Sequence, residues 1–287
     1  MTLRIDAHQH VWSLRHARYD WLTSDAGILY RDFGMADVAA DREAAGVDGV
    51  VLVQSADNAE DTANMLVEAD RDASVVGVVA WAPLDDAGGT ADTIERLHAD
   101  HRVVGVRNLI HERADPRWIL RPEVRAGLDV LEASGLAFDF VTADASALGL
   151  LPEIGDRHPS LRIVIDHLGK PPLGAGLADW RRSLEHAARN PLVHAKVSGL
   201  LTTASCTSLD VQGAVDIALD VLGPRRLMIG SDWPIALLAA DYGTTWGALE
   251  ASLGGLSADE RDAVLGGTAA SFYRIDDGRL ARLKEMK

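Results

Sequence analysis

The sequence predicts one α/β domain over residues 1–287, a (β/α)8 barrel of the TIM type with its site at the C-terminal ends of the strands. Three observations predict it. Short runs rich in Val and Ile recur eight times, nearly continuous in apolar character, as strands buried on both faces are. Helical patterns fill the intervals, and right-handed crossovers between parallel strands close such a repeat into a barrel. The first run ends in Ala7-His8-Gln9-His10, which is no glycine-rich phosphate loop, so a doubly wound open sheet fits poorly.

In chain order the strands are expected at residues 3–7, 49–54, 75–81, 103–109, 136–141, 162–167, 193–197 and 227–232. The helices between and after them are expected at 35–45, 59–72, 90–99, 122–133, 145–157, 179–188, 211–222 and 245–253. Gly46, Gly135, Pro159, Pro191 and Gly223-Pro224 punctuate the joints. Residues 11–34 and 110–121 form connections longer than usual, and long loops at one end of a barrel are where sites are assembled. No low-complexity segment or Gly/Pro/Ser-rich linker divides the chain.

Composition narrows the function. At 287 residues and 47% hydrophobic, the chain has ample apolar content for a sizeable core. Its formal charge of −15 is spread along the sequence and repels phosphate backbones and anionic lipid. Nucleic-acid and membrane-surface roles are therefore disfavoured. One cysteine, Cys206, permits no internal disulfide and has no evident base partner, so a nucleophilic role is not expected of it. The N-terminus enters a strand at once without a charged-then-apolar leader, and no apolar run approaches the roughly 20 residues of a membrane span. A cytoplasmic protein, monomer or homodimer, is the expectation.

The chemistry gathers at strand ends. His8 and His10 end the first strand, and strand alternation points them to one side, where two imidazoles can share a metal ion. His167 ends the sixth strand ahead of a Gly-Lys-Pro turn, and Asp232 ends the eighth within Gly230-Ser231-Asp232-Trp233-Pro234. Three strands thus bring three histidines and a carboxylate to one mouth. Each alone also fits a packed or surface polar group; their coincidence at the catalytic end of a barrel does not suit chance.

Four motifs carry a family resemblance: Asp6-Ala7-His8-Gln9-His10, Asp166-His167-Leu168-Gly169-Lys170-Pro171, Lys196-Val197-Ser198-Gly199-Leu200 and the Gly230–Pro234 segment. In this order they resemble the amidohydrolase superfamily. More narrowly they resemble its branch of sugar-acid lactonases for fucono- and rhamnono-lactones, to which the 2-pyrone-4,6-dicarboxylate lactonases are related. The likeness extends through Asp115-Pro116-Arg117-Trp118 to Tyr242. It implies hydrolysis of a cyclic ester, with Asp232 activating water and His8, His10 and His167 as metal ligands or carbonyl-polarising groups.

Binuclear members of that superfamily take a bridging lysine or glutamate from the fourth strand and a histidine from the fifth. Val103–Asn108 and 136–141 offer neither. One divalent metal, zinc by ligand type, held by His8, His10, His167 and Asp232 is the resulting expectation. Members of the branch differ in whether they need the metal, so its necessity stays open.

Further strand-end residues are candidate substrate contacts. Arg107 offers a planar fork for a carboxylate or polyol oxygens, Lys196 a point charge. Gln54, Trp81 and Trp12 fit substrate contact and packing equally, and His111 in the long fourth loop fits contact or solvent exposure. Asp166 is expected to point away from His167 by alternation, in a supporting or helix-facing role. His98, His101, His158, His186 and His194 are expected at the surface. The expected function is hydrolysis of a small aldonic-acid lactone. The alternatives are a metal-dependent decarboxylase of the same superfamily and a non-catalytic sugar-acid binding barrel.

Overall fold

Eight parallel strands in sequential order, β1-β2-β3-β4-β5-β6-β7-β8, form the sheet of the computed structural model, which describes residues 3–202 and 208–285. Cys206 lies outside them. The strands are β1 Ile5–Gln9, β2 Gly49–Val53, β3 Val75–Ala80, β4 Val103–Asn108, β5 Ala137–Phe140, β6 Ile163–Ile165, β7 Val193–Val197 and β8 Leu227–Ile229. Every one expected from the sequence is present. Hydrogen bonds from Asp232 to the His8 carbonyl (2.8 Å) and from His10 to the Trp233 carbonyl (2.7 Å) close β8 against β1, which makes the sheet a barrel.

The helices of the barrel repeat are α1 Ala39–Ala44, α2 Ala59–Arg71, α3 Ala87–Leu97, α4 Pro122–Ser134, α5 Leu151–Arg157, α6 Ala178–Ala187, α7 Ser208–Leu222 and α8 Tyr242–Ala251. Their ends follow local chemistry. Asn58 caps α2 by accepting from the Asp61 amide, and α4 begins on Pro122 and ends at left-handed Gly135. Beyond the last helix expected from the sequence the chain continues through α9 Ala258–Asp262, a π turn, α10 Thr268–Phe272 and α11 Asp277–Glu285. This tail plugs the barrel floor. Ala269, Phe272, Tyr273 and Leu283 pack with Ile5, Val51, Val79, Val164 and Met228 in one buried apolar cluster. Its close approach needs Gly266, where a Cβ would stand 2.1 Å from the Leu3 carbonyl oxygen. Among the described residues, no helix is long and apolar enough to cross a membrane.

β2, β3, β4 and β5 end one residue earlier than expected, and three strand ends differ by two residues or more. β1 runs to Gln9, two residues further than predicted, and its register with β2 shifts between Asp6 and Gln9. Such a bulge re-aims side chains. Asp6 turns out toward Ser231 and Tyr242, whereas His8, which regular alternation would place on the same face, turns in. β6 and β8 stop before His167 and Asp232, which take left-handed backbone (φ 54° and 60°) and so leave the ladder.

Candidate active site

At the C-terminal mouth the side chains are placed from below. The His10 Nδ1–H donates to the Val53 carbonyl at 2.7 Å, which leaves Nε2 with its lone pair. Nδ1 of His167 lies 2.9 Å from the Ser198 hydroxyl, and Nδ1 of His8 lies 3.2 Å from Asp166 Oδ1. With all three rings held by Nδ1, their Nε2 atoms face Asp232 Oδ1, at 3.6 Å for His8, 3.3 Å for His10 and 3.9 Å for His167. The His8 and His10 Nε2 atoms are 3.2 Å apart. Two glycines make room for this: a Cβ on Gly199 would stand 2.5 Å from His167 Nδ1, and one on Gly230 2.5 Å from His8 Cβ.

The arrangement fits a tetrahedral cation. Ligand atoms bonded to zinc at about 2.0–2.1 Å stand about 3.3–3.4 Å apart, close to the separations among His8, His10 and Asp232. The electrostatics agree. Burial, reinforced by Lys196, keeps His8 neutral well below the usual imidazole range, and burial lowers His167 to about 4. Burial alone would raise Asp232; positive charge at the facing Nε2 atoms, His167 foremost, reverses this and holds it ionised below the ordinary carboxylate range, and where the imidazoles stay neutral a bound cation would supply that charge. Neutral imidazoles and an ionised carboxylate are what a metal requires.

Beneath the histidines lies a buried charge network. Lys196 Nζ sits 2.5 Å from Asp139, 3.0 Å from Asp166 and 3.0 Å from His8 Nδ1. Arg107 Nη1 reaches Asp166 at 3.0 Å while Nη2 donates to the Gln54 carbonyl, and the Tyr273 hydroxyl reaches up from the floor to Asp139 at 2.8 Å. Burial opposes ionisation of Asp166, but Lys196, His8 and Arg107 overcome it and hold its carboxyl well below the usual range.

Asp166 therefore points inward beneath His8 and supports it, not toward a helix. Because His167 is off the strand, alternation does not separate the two. Lys196, fully buried, lies in this network and not on the cavity wall; the side-chain amide of Gln54 likewise bonds inward, to the Arg107 carbonyl at 3.0 Å.

Above the histidines opens a cavity of about 170 Å³. Of the residues singled out in the sequence, His10, Trp12, Arg107, His111, His167 and Asp232 line it. Trp12 is fixed by its indole N–H to the Arg31 carbonyl, and burial with Arg107 and Lys170 nearby lowers His111 to about 3. Trp81 instead lines a second, outer cavity of about 830 Å³ that shares Trp21, Leu109 and Glu112 with the first. Trp21, Glu112 and Lys170 are wall residues that sequence reasoning missed. Lys170 lies within the Asp166–Pro171 motif, but Trp21 and Glu112 lie in loops whose course no periodicity reveals. Among the other histidines, His158 is buried and not at the surface, and His194 packs its ring on Phe272.

A (β/α)8 barrel that gathers His-X-His, a third histidine and a carboxylate at its C-terminal mouth defines the metal-assisted hydrolase type of barrel. The chain belongs to the amidohydrolase family, whose model matches residues 5–275. It is 38% identical over 283 residues to an L-fucono-1,5-lactonase of Burkholderia ambifaria, covering 96% of this chain and 97% of the relative. It is 33% identical to an L-fucono-1,5-lactonase of Burkholderia multivorans, covering 98% and 99%. A crystal structure of an amidohydrolase from Burkholderia multivorans with bound zinc superposes with a TM-score of 0.88 at 33% identity, over 96% of this chain and all of that one.

Proposed function

We propose that this protein is a lactonase that opens the ester ring of a small sugar-acid lactone, with L-fucono-1,5-lactone the first substrate to test. The observation that carries the reading is the convergence of three Nδ1-anchored imidazoles on one oxygen of Asp232, in a chain 38% and 33% identical to proteins named L-fucono-1,5-lactonase. The cavity of about 170 Å³ is smaller than the about 300–1,000 Å³ usual for drug-sized ligands and suits a single sugar ring. The same relatives favour the lactonase over the decarboxylase and over a non-catalytic barrel.

His8, His10 and Asp232 Oδ1 would hold one zinc ion, with His167 Nε2 facing the same oxygen at 3.9 Å as a further donor, and His8 would do so with its proton on Nδ1 toward Asp166. When bound, the zinc supplies a Lewis acid at the ester carbonyl. Asp232 uses its two oxygens differently: Oδ1 faces the imidazoles, and Oδ2 takes a proton as water attacks the carbonyl carbon. As the tetrahedral intermediate collapses, the bond from carbonyl carbon to ring oxygen breaks and Asp232 returns that proton to the ring oxygen. The product is a hydroxy-acid, which ionises. Arg107 and His111 line the space where the substrate's hydroxyls lie, and Trp12 packs against its ring. The whole chain acts as one domain, in the cytoplasm, as monomer or homodimer.

The test is hydrolysis of a panel of sugar lactones followed by a pH indicator, with spontaneous opening subtracted, before and after chelation. Turnover that chelation abolishes and zinc restores is expected. No turnover on any lactone with zinc supplied, or release of CO₂ from an aromatic acid, would overturn the reading.

A further inference from the structure

The cavity wall carries two cations, and they differ in what holds them. Both Nη groups of Arg107 are committed below, to Asp166 and to the Gln54 carbonyl. Lys170, exposed on the wall, has no ion pair or side-chain hydrogen bond among the described residues. Its field still reaches the site: its charge is among the causes that lower both His111 and His167.

The backbone that presents Lys170 is unusual. His167, Leu168, Gly169 and Lys170 run at φ 54°, 52°, 71° and 56°, and three of the four carry a Cβ. Left-handed backbone is costly for a non-glycine residue and persists only where its surroundings enforce it. Here Trp180 donates its indole N–H to the Leu168 carbonyl at 2.8 Å, and Gly169 packs where a Cβ would meet Leu148 at 2.6 Å. The Lys170 amide bonds back to the His167 carbonyl at 2.9 Å, and Pro171-Pro172 follow. One strained turn thus sets both His167 and Lys170 on the same cavity.

What an unpaired ammonium beside this centre recognises follows from the charge change of the reaction. A sugar lactone is neutral, and its ring-opened acid is an anion. A point charge distinguishes the two where hydroxyl contacts do not. We propose that Lys170 is the residue that receives the carboxylate formed on ring opening, so that it sets affinity for the sugar-acid anion and not for the lactone. This rests on the lactonase reading of the site.

The experiment compares the zinc-loaded wild type with Lys170→Met and Lys170→Arg. L-fuconate is titrated calorimetrically and also used as a product inhibitor of L-fucono-1,5-lactone turnover. Met and Lys both carry a Cβ, so the left-handed position is equally demanding for either; a melting curve checks the fold, and Lys170→Gln is a second neutral variant should Met fold poorly. Lys170→Met is expected to weaken L-fuconate about tenfold at low salt, near the low end for a charge-assisted hydrogen bond. The loss of L-fuconate affinity should exceed any rise in the lactone KM severalfold, Lys170→Arg should restore anion affinity, and the gap should narrow in about 0.5 M salt. Unchanged L-fuconate affinity in the neutral variants, or an equal rise in the lactone KM, would overturn the assignment, as would a wild type that does not bind L-fuconate. A wild type that binds L-fuconate through Lys170 yet opens no lactone would count against the lactonase reading alone.

Discussion

Asp232 stands where the imidazoles of three strand ends meet, and its role is testable by the smallest change. Asp232→Asn keeps the shape and one oxygen but removes the charge and the proton acceptor. Turnover is expected to fall by about a thousandfold or more, with the melting temperature within a few degrees of wild type; retained turnover would remove Asp232 from the mechanism. The pH profile follows from His167. His167 is lowered to about 4 by burial, so its neutral form persists in the folded protein down to that pH. Activity should therefore be level from about pH 5 to 8 and fall as pH drops through about 4, where protonation removes the His167 lone pair. A fall already at the ordinary imidazole pKa near 6.5 would contradict the buried, neutral assignment. The residue types of this cluster were legible in the sequence because each ends a strand run. That Lys196 supports the site from beneath was not legible, since a lysine at a strand end reads the same on a wall or in a core.

Turns, more than strands, set the geometry of the site. The register shift in β1 separates His8 from Asp6, and the left-handed turns after β6 and β8 deliver His167 and Asp232. The turn after β7 matters through what it lacks. Gly199 has φ 60° and no room for a Cβ between His167 Nδ1 and Asp232 Oδ2, at 2.5 and 2.9 Å. Gly199→Ala is expected to displace the His167 ring, lower zinc retention and cut turnover about a hundredfold or more, while the barrel still folds. Unaltered zinc content by elemental analysis would show that the ring has another route to its position. Period-two alternation read the strands well but misplaced Asp166, because it assumes that a strand continues to its last polar residue.

Across the whole barrel, polarity is layered. The tail from α9 to α11 seals the floor with apolar side chains, the middle holds Lys196, Asp139, Asp166 and Tyr273, and the histidines occupy the mouth. Charges buried this deeply are costly unless matched, and removing one partner costs about 3–5 kcal/mol. Lys196→Met is expected to destabilise the protein by about that amount in denaturant unfolding, leaving Asp139 without its cation while Arg107 still pairs with Asp166. Adding Asp139→Asn should recover part of the loss; a double variant no more stable than the single one would show that the pair is not the unit. The floor plug went unread in the sequence, where the short segments of the tail show no pattern long enough to separate helix from loop.

What the sequence determined by itself was the barrel and the chemical identity of its mouth. Eight apolar runs buried on both faces leave few ways to hide them, and a polar residue that ends such a run must lie at the mouth. Tertiary structure alone decided which polar groups face the cavity and which lie beneath it. Arg107, Lys196 and Lys170 are equivalent as cations in the sequence. Their neighbours across the barrel commit the first two and leave Lys170 on the wall. Those neighbours lie far off in the sequence, 59 residues between Arg107 and Asp166 and 57 between Lys196 and Asp139, and no local pattern records them.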